Sequence, residues 1–432
     1  MKEITETTEN IERFILVGVE RGNDNMEASL AELHELLKTA GGESAGTVIQ
    51  NLESFNKATY IGTGKVEELK EMLADTGADG IITDDELSPA QMKNLEDALG
   101  CKVLDRTMLI LDIFAKHAVT GEGKIQVEMA QLKYRSSRLQ GFGTSLSRLG
   151  GRIGTRGPGE SKLESDRRTI RNRISQLSKE INDVRAARDT ARKKRLANAV
   201  PVIAIVGYTN AGKSTLLNRL TDADILAEDK LFATLDPTTR GMQLPDGEQV
   251  LFTDTVGFIH KLPHNLIEAF RSTLEEAKYA DILVHVVDSS NIEAEEHIKV
   301  VYRTLDELHV EGKPVVTLFN KSDVPGASSR IIKDTRADVS FKVSAATGEG
   351  IEDFLNEIAR ILRESKVLID TVFPYTEAGN VARIRKEGQL IAEEYVAEGV
   401  HVKAYIPKSL AGQLGITASG KARCCNKRTS RS

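Results

Sequence analysis

The sequence predicts an α/β protein built around a parallel sheet that carries a phosphate loop. A smaller α/β region is expected on each side of that sheet, with a helical hairpin before it. Three observations predict this. Short β-branched apolar runs alternate with helically spaced segments through the first 130 residues and again from Pro201 onward. One such run, Val202-Ile203-Ala204-Ile205-Val206, leads directly into Gly207-Tyr208-Thr209-Asn210-Ala211-Gly212-Lys213-Ser214-Thr215. Between the two alternating regions lies a long, basic, glycine-interrupted stretch.

The elements follow in order. Phe14 to Val19 is a short β-branched apolar run and reads as a buried strand. Met26 to Leu37 has helical apolar spacing and stops near Gly41-Gly42. Gly80-Ile81-Ile82-Thr83 is a strand, Ser88 caps a helix running to about Leu99, and Lys102-Val103-Leu104 is a further strand. Strands alternating with helices of this length imply parallel βαβ units.

Gly123 to Leu139 is helical through Ile125, Met129 and Leu132 and is expected to break at Gly141-Phe142-Gly143. The stretch from Gly150 to Glu160 is too rich in glycine for regular structure. In the next helix Leu163, Ile170, Ile174, Leu177, Ile181 and Val184 form a heptad seam, so it should return antiparallel against the helix before the loop.

From Pro201 the predicted strands are Val202–Val206, Val250–Thr253, Ile282–Val287 and Val315–Phe319. Each ends at a motif, where open parallel sheets hold ligands. A helix from Ile351 to Glu364 closes this region. The tail offers a strand at Asp370–Phe373, a helix near Ala378–Glu387 and strand-like text from Glu393 to Tyr405, and its last fifteen residues are expected to be disordered. The expected domains are residues 1–132, 133–198, 199–365 and 366–432.

Length and composition agree with several domains. A chain of 432 residues exceeds one ordinary core, and 40% apolar with 28% charged residues is a soluble balance. No apolar run approaches the roughly 18 residues of a membrane helix. The start, Met1-Lys2-Glu3-Ile4-Thr5-Glu6, is too acidic for a targeting peptide. Cys101, Cys424 and Cys425 lack Cys-x-x-Cys spacing and are expected to stay reduced in the cytoplasm.

The chemistry lies in four motifs in one fixed order. The glycines of residues 207–215 let backbone N–H groups point at a β-phosphate, and the following helix adds its positive end. Lys213 supplies charge to the β- and γ-phosphates, and the Ser214 hydroxyl suits Mg²⁺. In Asp254-Thr255-Val256-Gly257, the carboxylate suits Mg²⁺ through water and the Gly257 N–H can reach the γ-phosphate. Asn320-Lys321-Ser322-Asp323 selects the base: a carboxylate accepting two hydrogens suits guanine, and adenine presents no such pair. Lys321 would pack along the base, and Ser344-Ala345 would close over it. A chance glycine–lysine turn does not explain four ordered companions. The region is therefore read as a P-loop GTPase domain that takes GTP as substrate and Mg²⁺ as cofactor.

A threonine between Ser214 and Asp254 should complete the metal site. Thr234 is favoured over Thr238 and Thr239, whose alternative is loop hydrogen bonding. Lys213, Thr234 and Gly257 are thus the catalytic candidates. After Gly257, where many small GTPases place a water-orienting glutamine, this chain has Phe258. Unaided hydrolysis is therefore expected in the range of roughly 10⁻⁴ to 10⁻² s⁻¹. His260 is a candidate replacement, although a loop histidine is more often plain polar surface.

Residues 133–195 carry 18 Lys/Arg against 6 Asp/Glu in a chain whose net charge is −6. Most charge runs are simply solvated helix faces. Here the glycine-rich tip also carries Arg148, Arg152 and Arg156, where glycine allows close approach and arginine suits phosphates, so RNA contact is expected. The runs Gly154–Gly159 and Gly62-Thr63-Gly64-Lys65 have the wrong spacing for further nucleotide loops.

With these residues in view the chain resembles the HflX family, ribosome-associated GTPases of the Obg-like group, up to about residue 410. Thr59–Lys65, Asp105–Phe114, Glu122–Glu128 and, most specifically, Gly154–Glu160 look like family signatures. Phe232-Ala233-Thr234-Leu235-Asp236 is similar to the family's first switch, whose third residue is the magnesium threonine, which supports Thr234. Asp254–Phe258 is similar to its second switch, hydrophobic residue included. Ser137 stands where a proline is usual, Arg152 where a third glycine is common, and His260 where an arginine is common.

The resemblance implies a GTPase that binds the large ribosomal subunit and its RNA and splits stalled or idle ribosomes, with ribosome-stimulated turnover; the chain is expected to be a monomer. The alternative is a regulatory GTP-sensing adaptor acting on a protein partner, with the hairpin as a spacer.

Overall fold

Residues Arg13–Glu20 form β1, whose six central residues are all buried, as a β-branched run sandwiched between layers must be. The computed structural model describes residues 11–22, 25–149, 158–197, 200–221, 231–232, 238–262, 276–327 and 330–416. In the first unit, β1 is followed by α1 (Met26–Ala40), β2 (Glu43–Asn51), α2 (Thr63–Thr76), β3 (Gly80–Thr83), α3 (Pro89–Leu99), β4 (Lys102–Asp105) and α4 (Arg106–His117). The sheet order is β2-β1-β3-β4 and every pair is parallel. Ser88 and Gln91 form the reciprocal cap that starts α3, with Pro89 in its first turn.

Strand β2 and helix α2 have weak sequence signals. Of the nine residues of β2 only Val48 is buried, because the strand lies at a sheet edge. Helix α2 buries only Val66, Leu69 and Leu73.

Helices α5 (Gly121–Leu149) and α6 (Pro158–Ala197) form the hairpin. Met129, Leu177 and Ile181 make its seam, with Ile125 and Leu132 beside them. Arg173 forks Glu128 at 2.7 and 2.8 Å, and Arg167 donates to the Leu139 carbonyl at 2.6 Å, so the helices run antiparallel. The break expected at Gly141-Phe142-Gly143 does not occur, for α5 continues to Leu149. Each glycine costs a helix only about 1 kcal/mol, and no proline removes a backbone donor there. Helix α6 also starts earlier than expected, with Pro158 in the first helical position that proline favours.

The central sheet contains β5 (Val202–Gly207), β6 (Thr238–Gln243), β7 (Gln249–Asp254), β8 (Ile282–Asp288), β9 (Val315–Asn320) and β10 (Val339–Lys342), in the order β10-β9-β8-β5-β7-β6. All pairs are parallel except β6–β7. Helices α7 (Lys213–Thr221), α8 (Ala294–Glu307) and α9 (Ile351–Glu364) accompany it. Thr238 and Thr239, read from sequence as loop residues, lie in β6, where Thr239 Oγ1 meets Thr253 Oγ1 at 2.9 Å. An edge strand of sequence Thr-Thr-Arg-Gly-Met-Gln has no apolar run to announce it.

The last unit is antiparallel, in the order β11-β13-β12: β11 (Lys366–Phe373), β12 (Gln389–Val396) and β13 (Gly399–Pro407), with α10 (Ala378–Glu387) and α11 (Lys408–Gln413). The stretch from Glu393 to Tyr405 is thus two strands joined by a tight turn.

One hydrophobic cluster joins the first and central sheets. It takes in Leu33 and Phe114 from the first and Tyr208, Phe232, Phe258 and Val301 from the second, and the rings of Phe114 and Phe232 meet edge to face at 4.6 Å. The phosphate loop therefore abuts the N-terminal unit.

Candidate functional site

Strand β5 ends at Gly207 between β7 and β8, where connections leave in opposite directions and an open sheet forms a crevice. The loop turns through Asn210 (φ 59°) and Gly212 (φ 95°) into α7. A Cβ on Gly212 would lie 2.2 Å from Asn320 Nδ2, so only glycine fits.

Lys213 is buried and its ammonium donates to the Tyr208 carbonyl at 2.7 Å. Burial pulls its pKa down to about 8, with nearby Asp254 opposing the shift. Ser214 Oγ donates to Asp254 Oδ2 at 2.7 Å, and that carboxylate is inaccessible to solvent. Two hard oxygen donors, hydroxyl and carboxylate, thus sit side by side at the start of α7. That fits Mg²⁺, which is held by few protein oxygens together with substrate phosphates. Among the described residues no group of three or more His, Cys, Asp or Glu forms an all-protein metal cage.

Thr255 is buried and its hydroxyl donates to the Ile205 carbonyl at 2.8 Å. Val256 lies in the cluster shared by the two sheets. Gly257 lies against the phosphate loop: a Cβ there would come within 2.8–3.0 Å of Thr209 and Lys213 Nζ. The next residue pairs with the loop, Thr209 N–H donating to the Phe258 carbonyl at 2.7 Å and Phe258 N–H to the Gly207 carbonyl at 3.1 Å. The Phe258 ring is buried in the shared cluster, so it serves as an anchor and faces away from solvent. His260 is exposed at the surface, yet partial desolvation with Arg106 nearby lowers its pKa. It donates its backbone N–H to the Tyr208 hydroxyl at 2.7 Å.

The residues read from sequence as base-side divide into two groups. Asn320, at the end of β9, donates from Nδ2 to the Ala211 carbonyl at 2.8 Å and accepts the Ala345 N–H on Oδ1 at 2.9 Å. Its amide staples the phosphate loop to the Ser344-Ala345 loop, both of whose residues are buried. Asp323 is exposed and presents its carboxylate to solvent. Lys321, with φ 62°, reaches back to Asp288 at 2.7 Å.

The structure thus brings residues 207–215, Asp254–Gly257, Asn320–Asp323 and Ser344-Ala345 to one edge of the sheet. Phe232 is buried beside Phe114, while Ala233, Thr234, Leu235 and Asp236 lie outside the described residues. Arg152 and Arg156 also lie outside them, and of Arg148 only the backbone, in α5, is described.

Sequence reasoning missed a set of groups from the N-terminal unit. Glu32, Asp84 and Arg106 reach the loop through Tyr208 and Lys261. The available signal was Asp84, directly after β3, since a carboxylate at the end of a buried parallel strand needs a partner.

Residues 27–115 match the family described as GTP-binding GTPase N-terminal, residues 117–195 the GTP-binding GTPase middle region, and residues 202–321 the 50S ribosome-binding GTPase family. The GTPase HflX of Lacrimispora saccharolytica is 57% identical over 97% of this chain and 99% of its own length. That of Caldanaerobacter subterraneus is 50% identical over 91% of each chain. That of Escherichia coli is 41% identical over 81% of this chain and 83% of its own. A crystal structure of a GTP-binding protein from Sulfolobus solfataricus in complex with GDP is 26% identical, with a TM-score of 0.42 over 80% of this chain and 98% of that one. Full-length likeness at this identity leaves one conclusion: the chain belongs to the HflX family of GTPases.

Proposed function

We propose that this GTPase binds the large ribosomal subunit and separates stalled or idle ribosomes, working as a cytoplasmic monomer whose turnover the ribosome stimulates. The observation that carries the reading is the hairpin. Its helices have 29 and 40 residues, and at about 1.5 Å per residue the longer extends about 60 Å. The surrounding stretch holds 18 Lys/Arg against 6 Asp/Glu, a surface suited to the RNA backbone, with Arg148, Arg152 and Arg156 as its contacts. The match to a family described as 50S ribosome-binding GTPase supports the same partner. In this reading the working units are residues 1–132, 133–198, 199–365 and 366–432.

In the nucleotide site, backbone N–H groups of Gly207–Thr215 take the phosphates and Lys213 takes the β- and γ-oxygens. Ser214, Thr234 and Asp254 hold Mg²⁺, which when bound neutralises charge on the phosphates. The Gly257 N–H addresses the γ-phosphate, Asp323 reads guanine, and Asn320 holds the two loops around it. With its ring turned into the core, Phe258 cannot orient water, and the ribosome is expected to complete the site.

Co-sedimentation tests the reading. In the presence of a non-hydrolysable GTP analogue the protein should pellet with large subunits, and binding should weaken steeply between about 50 and 200 mM salt. Ribosomes should also raise GTP turnover by orders of magnitude. Absence of binding, or binding indifferent to salt, would exclude the RNA-based mode and favour a protein-directed adaptor.

A further inference from the structure

Tyr208 stands inside the phosphate loop, yet its side chain leaves it. The hydroxyl accepts the His260 backbone N–H at 2.7 Å and donates to Glu32 Oε1 of α1 at 2.5 Å. Its ring lies flat on the His297 imidazole of α8, with centroids 3.6 Å apart and planes 4° apart. The other Glu32 oxygen takes a guanidinium nitrogen of Arg106. Arg106 also bonds Asp84 Oδ1 at 2.8 Å. Asp84 Oδ2 accepts Ser29 Oγ at 2.7 Å and the Lys261 ammonium at 2.5 Å, and Lys261 also meets Asp85 at 2.9 Å.

The contacts close a ring, from Tyr208 through Glu32, Arg106, Asp84 and Lys261 to His260 and back to Tyr208. Arg106 is 1% exposed and Asp84 0%, so these are interior interactions. Asp84 follows β3, next to β1, at the point where the first sheet's strand order reverses and parallel sheets ordinarily receive ligands. The group seated at Asp84 is the side chain of Lys261. That residue is kept at φ 54°, a conformation that non-glycine residues adopt only when their surroundings hold them there. The segment after Gly257 is therefore tied to the N-terminal unit directly by the Lys261 ammonium and indirectly by the His260 N–H, through the Tyr208 hydroxyl that Glu32 holds. Gly257 itself is packed against Lys213 and Thr209.

We propose that Tyr208 is a positioning residue: its hydroxyl, clamped by Glu32, sets the place of Gly257–Lys261 against Lys213, so that the N-terminal unit governs how the site answers the γ-phosphate. The proposal rests on residues 207–215 and Gly257 being the phosphate site. GDP, which lacks the γ-phosphate, should be indifferent to the clamp, whereas a GTP analogue should depend on it.

The experiment uses the full chain with Tyr208→Phe, Glu32→Gln and the double variant, their folding checked by thermal melting. GDP and GMPPNP affinities and single-turnover GTP hydrolysis are measured without ribosomes. Tyr208→Phe should weaken GMPPNP relative to GDP by roughly tenfold, the loss of one charge-assisted hydrogen bond, and slow hydrolysis by a similar factor. Glu32→Gln should shift the same ratio in the same direction, and the double variant should be no worse than Tyr208→Phe. Equal weakening of GDP and GMPPNP, or additive effects, would overturn the proposal. Should Tyr208→Phe not fold, Glu32→Gln carries the test, because it lies outside the phosphate loop. Lys213→Ala separates the two levels. If it leaves GTP binding intact, the site assignment is wrong. If it abolishes binding while the Tyr208→Phe ratio stays unchanged, only the role of Tyr208 falls.

Discussion

Replacing Asn320 with alanine removes both ends of the staple between the phosphate loop and the Ser344-Ala345 loop. Two hydrogen bonds go, at 2.8 and 2.9 Å, and both are buried. Each contributes about 1 kcal/mol net, and a buried backbone group left without a partner costs about 1–3 kcal/mol. Partial relaxation gives an expected total of about 2–3 kcal/mol, equivalent to roughly 30- to 150-fold in an equilibrium constant. The loss divides between folding and nucleotide affinity, so urea denaturation of the free protein and GDP titration are both required. The loss in affinity should be the same for GDP, IDP and XDP, because the Asn320 amide is engaged by backbone on both sides. Asn320→Asp should lie between the wild type and alanine, since it keeps the acceptor for Ala345 and loses the donor to Ala211. If the alanine variant changes the sum of the two quantities by less than about 0.5 kcal/mol, or changes base preference, the stapling account is wrong.

Three further outcomes are expected. Asp323→Asn should turn preference from guanine toward xanthine nucleotides, read by competition binding; unaltered GTP selectivity would remove Asp323 from the base site. Burial lowers the Lys213 pKa to about 8, so between about pH 8 and 10 the unfolded chain holds a proton that the folded nucleotide-free chain has released. Stability should therefore rise across that window relative to Lys213→Met, by on the order of 2 kcal/mol, and a flat difference in urea midpoints would refute the burial argument. Arg106→Met leaves Glu32 and Asp84 without their guanidinium and should cost about 3–5 kcal/mol of stability by denaturant titration, whereas a near-neutral result would show that Lys261 alone balances the cluster.

Much of this architecture was legible in the sequence because burial leaves a simple mark. β1, β5, β8 and β9 are continuous apolar runs since both faces of a parallel sheet are covered. The cap at Ser88 and the helix from Ile351 to Glu364 were equally plain. Elements that bury little were not: β2, α2 and β6 lie at edges or carry a single narrow stripe. The glycines at 141 and 143 misled for a related reason, for helix propensity is a small local term that α5 overrides.

The site divides in the same way. Lys213, Ser214, Asp254, Gly257, Asn320 and Asp323 could be picked out from sequence as candidates because backbone curvature, a metal and a base would each demand particular residue types at a fixed order along the chain, and the structure brings them to one edge of the sheet. Their division of labour could not. That Asn320 binds two loops together, that Phe258 is a core residue, and that Tyr208 and Lys261 are held by Glu32, Asp84 and Asp85 follows only from packing one sheet against another. Those partners are up to 177 positions apart in the chain, and nothing in local propensity or periodicity records which buried charge will meet which. The sequence by itself determined the nucleotide chemistry; the tertiary structure decided what holds the switch.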